Sequence, residues 1–203
     1  MLEDVKKQLS IIAPSILKAL QPGAEESKIQ ELQELIGQAL PEDMINLYRT
    51  CNGNNPKTYS NFAYGVEFIN IQRCIDHITS YLKGEYNCPI QHTDPEIKNE
   101  YLEGKLRVPI GDDNGTSLIC VDLDPSEKGK YGQVILIDYK MGISLKLADS
   151  VTDYINRFAR DLKAGKYSLQ EDALEDGVEW LDPISEIDPI NWFNSPTWSY
   201  VNQ

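Results

Sequence analysis

The sequence predicts an α+β fold: N-terminal helices, a mostly antiparallel central sheet of about four to six short strands, a closing helix and an acidic C-terminal extension. Three observations support this prediction. Apolar residues recur at helical spacing in the first third of the chain, four short apolar strands follow one another, and a strongly amphipathic helix comes after them. Helices and strands that are separated along the chain, instead of alternating, are typical of α+β folds.

The first predicted element is an N-terminal helical segment, residues 1–24. Its apolar residues lie three or four positions apart, as one face of a helix requires: Leu2, Val5, Leu9, Ile12 and Ile16. Pro14 interrupts this stripe, and because proline has no backbone N–H to donate, we expect a kink or two short helices. Pro22-Gly23 ends the segment.

Two further helices are predicted before the first strand. One begins at Ser27, with Gln30 at the position of a capping box. The other begins in the Leu-Pro-Glu-Asp run at residues 40–43, where proline suits the first helical position and the acids suit the positive end of the helix dipole. Asn52-Gly53 is predicted to end this helix, because both residues tolerate left-handed backbone angles.

The middle of the chain predicts the sheet and one flanking helix. A short strand is expected at residues 66–69, followed by an amphipathic helix from Ile71 to Leu82. Residues 85–105 are irregular, and we predict one short helix there, after Asp94-Pro95. Four strands follow, each bounded by Gly, Pro, Asp or Asn: residues 106–110, 117–123, 133–138 and 143–147.

A closing helix and a compositional change complete the chain. The helix is predicted to begin at Ser150, with Asp153 at the capping-box position, and to end at Gly165. No Lys or Arg follows Lys166, whereas the last segment contains eight acids and all three tryptophans. We therefore predict a core domain at residues 25–166, preceded by the helical segment and followed by an acidic extension at residues 167–203.

The net charge of −13 disfavours one class of function and favours another. Binding of DNA or RNA depends on Lys and Arg that neutralise phosphates, so we expect no nucleic-acid partner. The same charge attracts basic proteins and speeds their encounter. Acidity also serves solubility alone, so the charge by itself does not establish a basic partner.

The sequence also predicts a cytoplasmic protein without membrane insertion. Its apolar runs are far shorter than the ~20 residues that cross a bilayer, and its acidic N-terminus does not resemble a signal peptide. The four cysteines are widely spaced and form no C-x-x-C pair. Cys51, Cys74 and Cys120 are expected to be small buried side chains in the reduced state.

An acidic stretch at residues 108–125 raises three alternatives: a metal site, a phosphate site or a tight turn between strands. Its centre, Asp112-Asp113-Asn114-Gly115, is too compressed for a calcium loop, and no Glu stands where such a loop closes. A phosphate loop would need a lysine and a following helix, whereas a strand follows here. Asp, Asn and Gly readily form Asx turns. We therefore interpret the stretch as a turn, with no metal and no cofactor.

Three motifs, in order along the chain, resemble the SUKH superfamily, which contains fungal Smi-one/Knr-four cell-wall-synthesis regulators and many bacterial immunity proteins. The first motif is the helix at residues 40–53, the second is the strands and turns at residues 108–135, and the third is the helix from Ser150. The second motif contains the runs Pro-Ile-Gly, Asp-Leu-Asp-Pro and Gly-Lys-Tyr-Gly-Gln-Val-Ile. The resemblance covers about residues 25–165. Asn54 stands where the family often has a second glycine, and the turn at residues 112–117 is less rich in glycine than is usual.

The resemblance implies a binding module without catalytic activity. Many bacterial members neutralise a toxin, frequently a nuclease, whereas the fungal members organise cell-wall signalling. We therefore expect an immunity protein that binds a basic toxin domain stoichiometrically. One alternative is a regulatory scaffold of cell-wall synthesis or signalling, and another is a small-ligand or calcium binder.

The residues agree with a non-enzymatic role and suggest where a partner binds. The only histidines, His77 and His92, belong to no local catalytic motif, and His77 is expected at the surface. Acids would attract a basic partner and tryptophans would anchor it, although tryptophans also pack a segment onto its own body. The candidate partner-binding residues are Asp112, Asp113, Asn114, Asp122, Asp124, Glu171, Asp172, Glu175, Asp176, Trp180, Trp192 and Trp198.

Overall fold

A computed structural model of the chain describes residues 2–84 and 88–202. Within these residues it contains seven α-helices, a mixed six-stranded sheet and a small two-stranded sheet. Four helices precede the first strand, and a long helix follows the last strand of the large sheet. The predicted α+β fold is therefore confirmed.

Four short helices form the N-terminal part: α1 (Glu3–Ile12), α2 (Pro14–Ala19), α3 (Glu26–Ile36) and α4 (Glu42–Thr50). Ala13 is not helical and separates α1 from α2, so the division expected at Pro14 is confirmed. The capping box predicted at Ser27 is wrong, because α3 begins one residue earlier. The Glu25 carbonyl accepts from the Lys28 and Ile29 N–H groups, so the helix begins without a side-chain cap.

Gly53 is needed beyond the end of α4. Cys51, the residue after the helix, is already extended, so the predicted left-handed stop at Asn52-Gly53 is wrong. Gly53 does have a left-handed φ of 74°. A side chain there would lie 2.6 Å from the Phe68 carbonyl oxygen. The glycine therefore allows the chain to pass close to the first strand.

The large sheet has the strand order β1-β3-β4-β5-β6-β2. Its strands are β1 (Glu67–Phe68), β2 (His92–Thr93), β3 (Arg107–Asp112), β4 (Ser117–Asp122), β5 (Gln133–Asp138) and β6 (Ile143–Ala148). Neighbouring strands are antiparallel, except that the short β2 pairs in parallel with β6. The four strands predicted in the middle of the chain are confirmed as β3 to β6.

The residues after Asp94-Pro95 form turns and bends where a helix was predicted. The Asp94 N–H donates to the Ser144 carbonyl at 3.0 Å, and the Asp94 carboxylate accepts from the Lys146 N–H at 2.7 Å. These bonds attach the segment to the edge of β6. The Asp94 carboxylate is therefore not available to cap the first N–H groups of a helix. The helix predicted after Asp94-Pro95 is therefore wrong.

Two longer helices flank the sheet, as predicted: α5 (Ile71–Lys83) and α6 (Val151–Lys163). Asn70 caps α5 by accepting from the Arg73 N–H, and Ser150 caps α6 by accepting from the Asp153 N–H at 3.1 Å. One face of the sheet packs in the main core with these helices and with α1 to α4. The other face carries a smaller apolar cluster that residues 97–102 cover.

The C-terminal extension packs on the body of the protein. It begins with the hairpin β7 (Tyr167–Leu169), α7 (Glu171–Glu175) and β8 (Leu181–Pro183), followed by short 3-10 turns. Four of its side chains are buried in the main core, together with residues of the N-terminal helices: Tyr167, Leu181, Trp192 and Trp198. Residues from all three predicted segments therefore share one hydrophobic core.

A buried asparagine holds the extension in place. The Asn61 side-chain amide donates to the Leu181 carbonyl at 2.8 Å and accepts from the Leu181 N–H at 3.0 Å. Asn61 is fully buried, so water does not compete for these bonds. Nearby, the Tyr64 N–H donates to the Tyr167 hydroxyl at 3.1 Å. The loop before β1 therefore fixes the position of the hairpin.

We predict that Asn61→Ala lowers the free energy of unfolding by roughly 2–3 kcal/mol, because it leaves both backbone groups of Leu181 buried and unpaired. Urea unfolding followed by tryptophan fluorescence measures this change, since all three tryptophans lie in the extension. The control is Asn99→Ala, at an exposed asparagine. Equal stabilities of the two variants would contradict the role assigned to Asn61.

Candidate protein-binding surface

The turn between β3 and β4 is built from Asx hydrogen bonds. The Asp112 carboxylate accepts from the Asn114 N–H at 2.7 Å. The Asp113 carboxylate accepts from the N–H groups of Gly115 and Ser117 at 2.8 and 2.9 Å. Asn114 has a left-handed φ of 56°, which asparagine tolerates. The interpretation of this stretch as a turn is confirmed, and N–H groups of the turn occupy both carboxylates.

Two side chains of α5 contact the turn, and sequence reasoning missed both. The Arg73 guanidinium donates to Asp112 at 2.8 Å, to Asn114 at 3.2 Å and to Glu67 at 2.6 Å. His77 Nε2 lies 3.1 Å from the same Asp112 oxygen. The His77 side chain is 35% exposed, so it lies at the surface as expected, and it also contacts Asp112. A signal was present, because Arg73 and His77 lie one turn apart on the polar face of their helix.

Asp112 positions the turn against α5. Burial opposes its ionisation, but hydrogen bonds from His77 and the Asn114 N–H, together with the charge of Arg73, outweigh that effect. The pKa of Asp112 is therefore below its ordinary value of 3.8. Only 7% of the residue is exposed. Its carboxylate orders the turn and offers little surface to a partner.

A cleft of about 620 Å³ opens beside the turn, and we name it the turn cleft. It is lined by Asp113 and Asn114 of the turn, by Lys57 and Tyr59 of the loop before β1, and by Trp180 of the extension. The Tyr59 side chain is 86% exposed. The structure therefore brings three residues predicted to bind a partner, Asp113, Asn114 and Trp180, to one concave surface.

The four acids predicted in the extension project from a hairpin, residues 167–183, that we name the acidic hairpin. All four are exposed: Glu171, Asp172, Glu175 and Asp176. Helix α7, which carries three of them, buries no residue, and Leu174 in its middle is 44% exposed. Trp180 belongs to the same hairpin, so the hairpin connects these acids to the turn cleft.

Asp122 and Asp124 do not belong to this surface. Asp122 pairs in register with Arg107, at the opposite end of β3 and β4 from the turn. It is fully buried, accepts from Gln133 at 2.9 Å, and has a pKa that burial raises. Asp124 accepts from the Tyr101 hydroxyl at 2.8 Å and also pairs with a lysine. These two candidate partner-binding residues therefore lie away from the turn, in hydrogen bonds and ion pairs within the fold.

Trp192 and Trp198 have a structural role in the folded chain. They are only 4% and 6% exposed, and the Trp192 indole N–H donates to the Asp138 carboxylate at 3.1 Å. This bond satisfies the polar atom of a buried ring. Of the two alternatives stated from the sequence, packing on the body therefore applies to these two tryptophans, which are too buried to serve as exposed anchors for a partner.

The described residues contain no helix long and apolar enough to cross a membrane. In the same part of the chain, no three His, Cys, Asp or Glu side chains are grouped so that they could hold a metal ion. All four cysteines are free thiols. Cys51, Cys74 and Cys120 are buried, as the sequence predicts.

Comparison with known proteins identifies the family. A model described as "SMI1 / KNR4 family (SUKH-1)" matches residues 23–157, which is more than half of the chain. The chain belongs to the SMI1/KNR4 family. The matched region of this SMI1/KNR4 protein contains the whole six-stranded sheet and begins just before α3. The resemblance seen in the sequence is thereby confirmed.

Curated fungal relatives match shorter parts of the chain. A "KNR4/SMI1 homolog" from Kluyveromyces lactis is 34% identical over 82 residues, which cover 40% of this chain and 15% of the relative. A "KNR4/SMI1 homolog" from Eremothecium gossypii is 37% identical over 62 residues, covering 30% of this chain and 9% of the relative. The "Cell wall assembly regulator SMI1" of Saccharomyces cerevisiae is 34% identical over 65 residues, covering 32% of this chain and 13% of the relative. The matched stretch is thus a small part of each relative's length.

The candidate surface draws on both the family region and the extension. Tyr59, Asp113 and Asn114 lie within residues 23–157, which match the SMI1/KNR4 model. Trp180 and the acidic hairpin lie outside that match. The extension therefore adds its own side chains to a cleft that the family domain begins.

We predict that Asp112→Asn lowers the free energy of unfolding by roughly 1–3 kcal/mol near neutral pH, because Arg73 and His77 lose a charged acceptor. Since the pKa of Asp112 is lower in the folded than in the unfolded state, its ionised form stabilises the fold above its ordinary pKa of 3.8. That stabilisation disappears as the pH falls through the folded-state pKa.

Urea unfolding of this variant and the wild type across acidic and neutral pH measures the predicted change. Asp76→Asn, at an exposed carboxylate on the same helix, serves as the control. If the difference in the free energy of unfolding between wild type and Asp112→Asn stays constant over the whole pH range, the charge of Asp112 does not stabilise the fold.

Proposed function

We propose that this SMI1/KNR4 chain is a non-enzymatic protein-binding domain that holds a basic partner on the acidic hairpin and the turn cleft. The observation that carries the proposal is the projection of four exposed acids from the acidic hairpin, three of them on α7, which buries no residue of its own. Among the described residues, none of these acids has a cation within 4.0 Å. Their charge is therefore available to a partner.

Charge and shape have separate roles in the proposed interface. The exposed acids raise the rate at which a basic protein reaches the surface. The turn cleft then supplies a place for an anchoring side chain, because Tyr59 and Trp180 present aromatic surface beside the polar groups of the turn. Large aromatic side chains often supply much of the energy of a protein interface.

The biological role we propose first is immunity, in which the chain neutralises a basic toxin domain, such as a nuclease, in the cytoplasm. The active site of a nuclease is commonly basic, since it binds a polyanion, and an acidic protein can cover it. This proposal is supported by the charge of the hairpin. The toxin and the compartment are both part of the proposal.

A second role is regulation of cell-wall synthesis or signalling as a scaffold. It is supported by the similarity to the yeast relative named "Cell wall assembly regulator SMI1". Both roles use the same surface and differ in what the partner does. Co-expression separates them, because an immunity protein restores growth of cells that produce its toxin, whereas a scaffold does not.

To test the surface, we predict that a fourfold variant, Glu171→Gln, Asp172→Asn, Glu175→Gln and Asp176→Asn, binds the partner about tenfold more slowly at low salt. The partner is first purified from a lysate of the source organism with the full chain as bait. Association is then measured by biolayer interferometry. The extension is kept in place, because its buried residues belong to the core.

The matched control removes four exposed negative charges from other parts of the surface: Asp4→Asn, Glu34→Gln, Glu100→Gln and Glu127→Gln. It reduces the net negative charge by the same amount but leaves the hairpin unchanged. Slower binding by the hairpin variant alone supports the proposed surface. If both variants bind equally fast, the hairpin is not the partner's contact.

A further inference from the structure

A second cleft, of about 300 Å³, lies between α6 and the end of the chain. Arg157, Arg160, Lys166, Glu186 and Trp198 are among its lining residues. We name it the C-terminal cleft. Most of this lining lies beyond residue 157, where the match to the SMI1/KNR4 family ends. The cleft therefore depends on the extension of this particular chain.

The two arginines of this cleft differ from the other arginines of the protein. Arg49 and Arg73 form ion pairs with carboxylates, and Arg107 donates to backbone carbonyls. Within the described residues, Arg157 and Arg160 have no carboxylate oxygen within 4.0 Å. Both are exposed, so their guanidinium groups are accessible from solvent.

The acids that share the cleft are already paired with a lysine. Lys166 Nζ lies 3.5 Å from the Asp161 carboxylate and 3.6 Å from the Glu186 carboxylate. This ammonium group offsets one of the two negative charges of these carboxylates. The arginines are therefore left as the cations of the cleft that lack an acidic partner.

Aromatic rings form the buried wall of the cleft. Tyr64 and Trp198 are only 4% and 6% exposed. Tyr64 has a left-handed φ of 60°, which is uncommon for an aromatic residue, and the Tyr167 hydroxyl accepts its N–H. Burial raises the pKa of Tyr64, and the nearby Arg157 opposes that shift. The rings of this wall pack in the core, so the arginines lie beside side chains whose positions are fixed.

Helix electrostatics explain only part of this cluster. A cation in the last turn of a helix is stabilised by the helix dipole, which accounts for Arg160 and Lys163. Arg157 lies a turn earlier and gains little from that effect. Arg157 and Arg160 are three residues apart, so they lie on one face of the helix and point to the same region.

We propose that the C-terminal cleft binds one anionic side chain, phosphorylated or carboxylate-bearing, of a peptide in a partner protein. Guanidinium groups bind both kinds of anion through paired hydrogen bonds. The volume of about 300 Å³ suits a side chain, and the net charge of −13 disfavours a polyanion such as nucleic acid. This inference is independent of the acidic hairpin and of the role proposed for it.

The experiment is a titration of the full chain with three peptides of one sequence, whose central residue is phosphoserine, glutamate or serine. Nuclear magnetic resonance follows the arginine side-chain N–H signals and the tryptophan indole signals. We expect saturable binding of the phosphoserine peptide, the glutamate peptide or both, with shifts at Arg157, Arg160 and Trp198, and no binding of the serine peptide. Tighter binding of the phosphoserine peptide identifies a phosphorylated ligand, and equal binding identifies any acidic side chain.

Variants separate a specific site from general attraction. The double variant Arg157→Gln and Arg160→Gln should weaken binding about tenfold or more, since it removes two charged donors. Lys163→Gln is the control, because this lysine lies on the same helix but does not line the cleft. It should change the affinity by less than about twofold. Failure of both anionic peptides to bind, or equal weakening by Lys163→Gln, would overturn the proposal.

Discussion

The two hydrogen bonds between the Asn61 side chain and the Leu181 backbone fix the C-terminal extension on the family domain. Both proposed surfaces depend on this attachment. Trp180 precedes Leu181 and reaches the turn cleft, while Trp198 reaches the C-terminal cleft farther along the same segment. Because Asn61 is fully buried, the attachment is part of the core and is lost only when the core opens.

The extension also separates the charges of the protein. Eight acids and no basic residue follow Lys166. Four of these acids are presented on a hairpin and form no ion pair with the residues that the structure describes. The two arginines without a carboxylate partner among the described residues lie in a cleft that the same extension helps to form. One molecule therefore presents an acidic surface for a basic partner and a small basic cleft for an acidic side chain. The SMI1/KNR4 domain supplies the support for both.

Local patterns predicted the elements of the fold, whereas contacts distant in sequence were not predictable. The strands β3 to β6, the start of α6 at Ser150 and the Asx turn at Asp112 all follow from neighbouring residues. The helix predicted after Asp94 was wrong, because the Asp94 carboxylate accepts a hydrogen bond from the edge of β6, about fifty residues away along the chain. The roles of Asn61 and Arg73 were missed for the same reason: their partners come from other elements.

Hydrogen–deuterium exchange of the free and partner-bound full chain tests the proposed contact surface, because it maps the contact without changing any residue. We predict slower exchange in the complex at residues 57–60, 113–114 and 171–180, which belong to the turn cleft and the acidic hairpin. Exchange elsewhere on the surface should stay the same. Slower exchange confined to other surfaces, with these three segments unchanged, would show that the partner binds elsewhere.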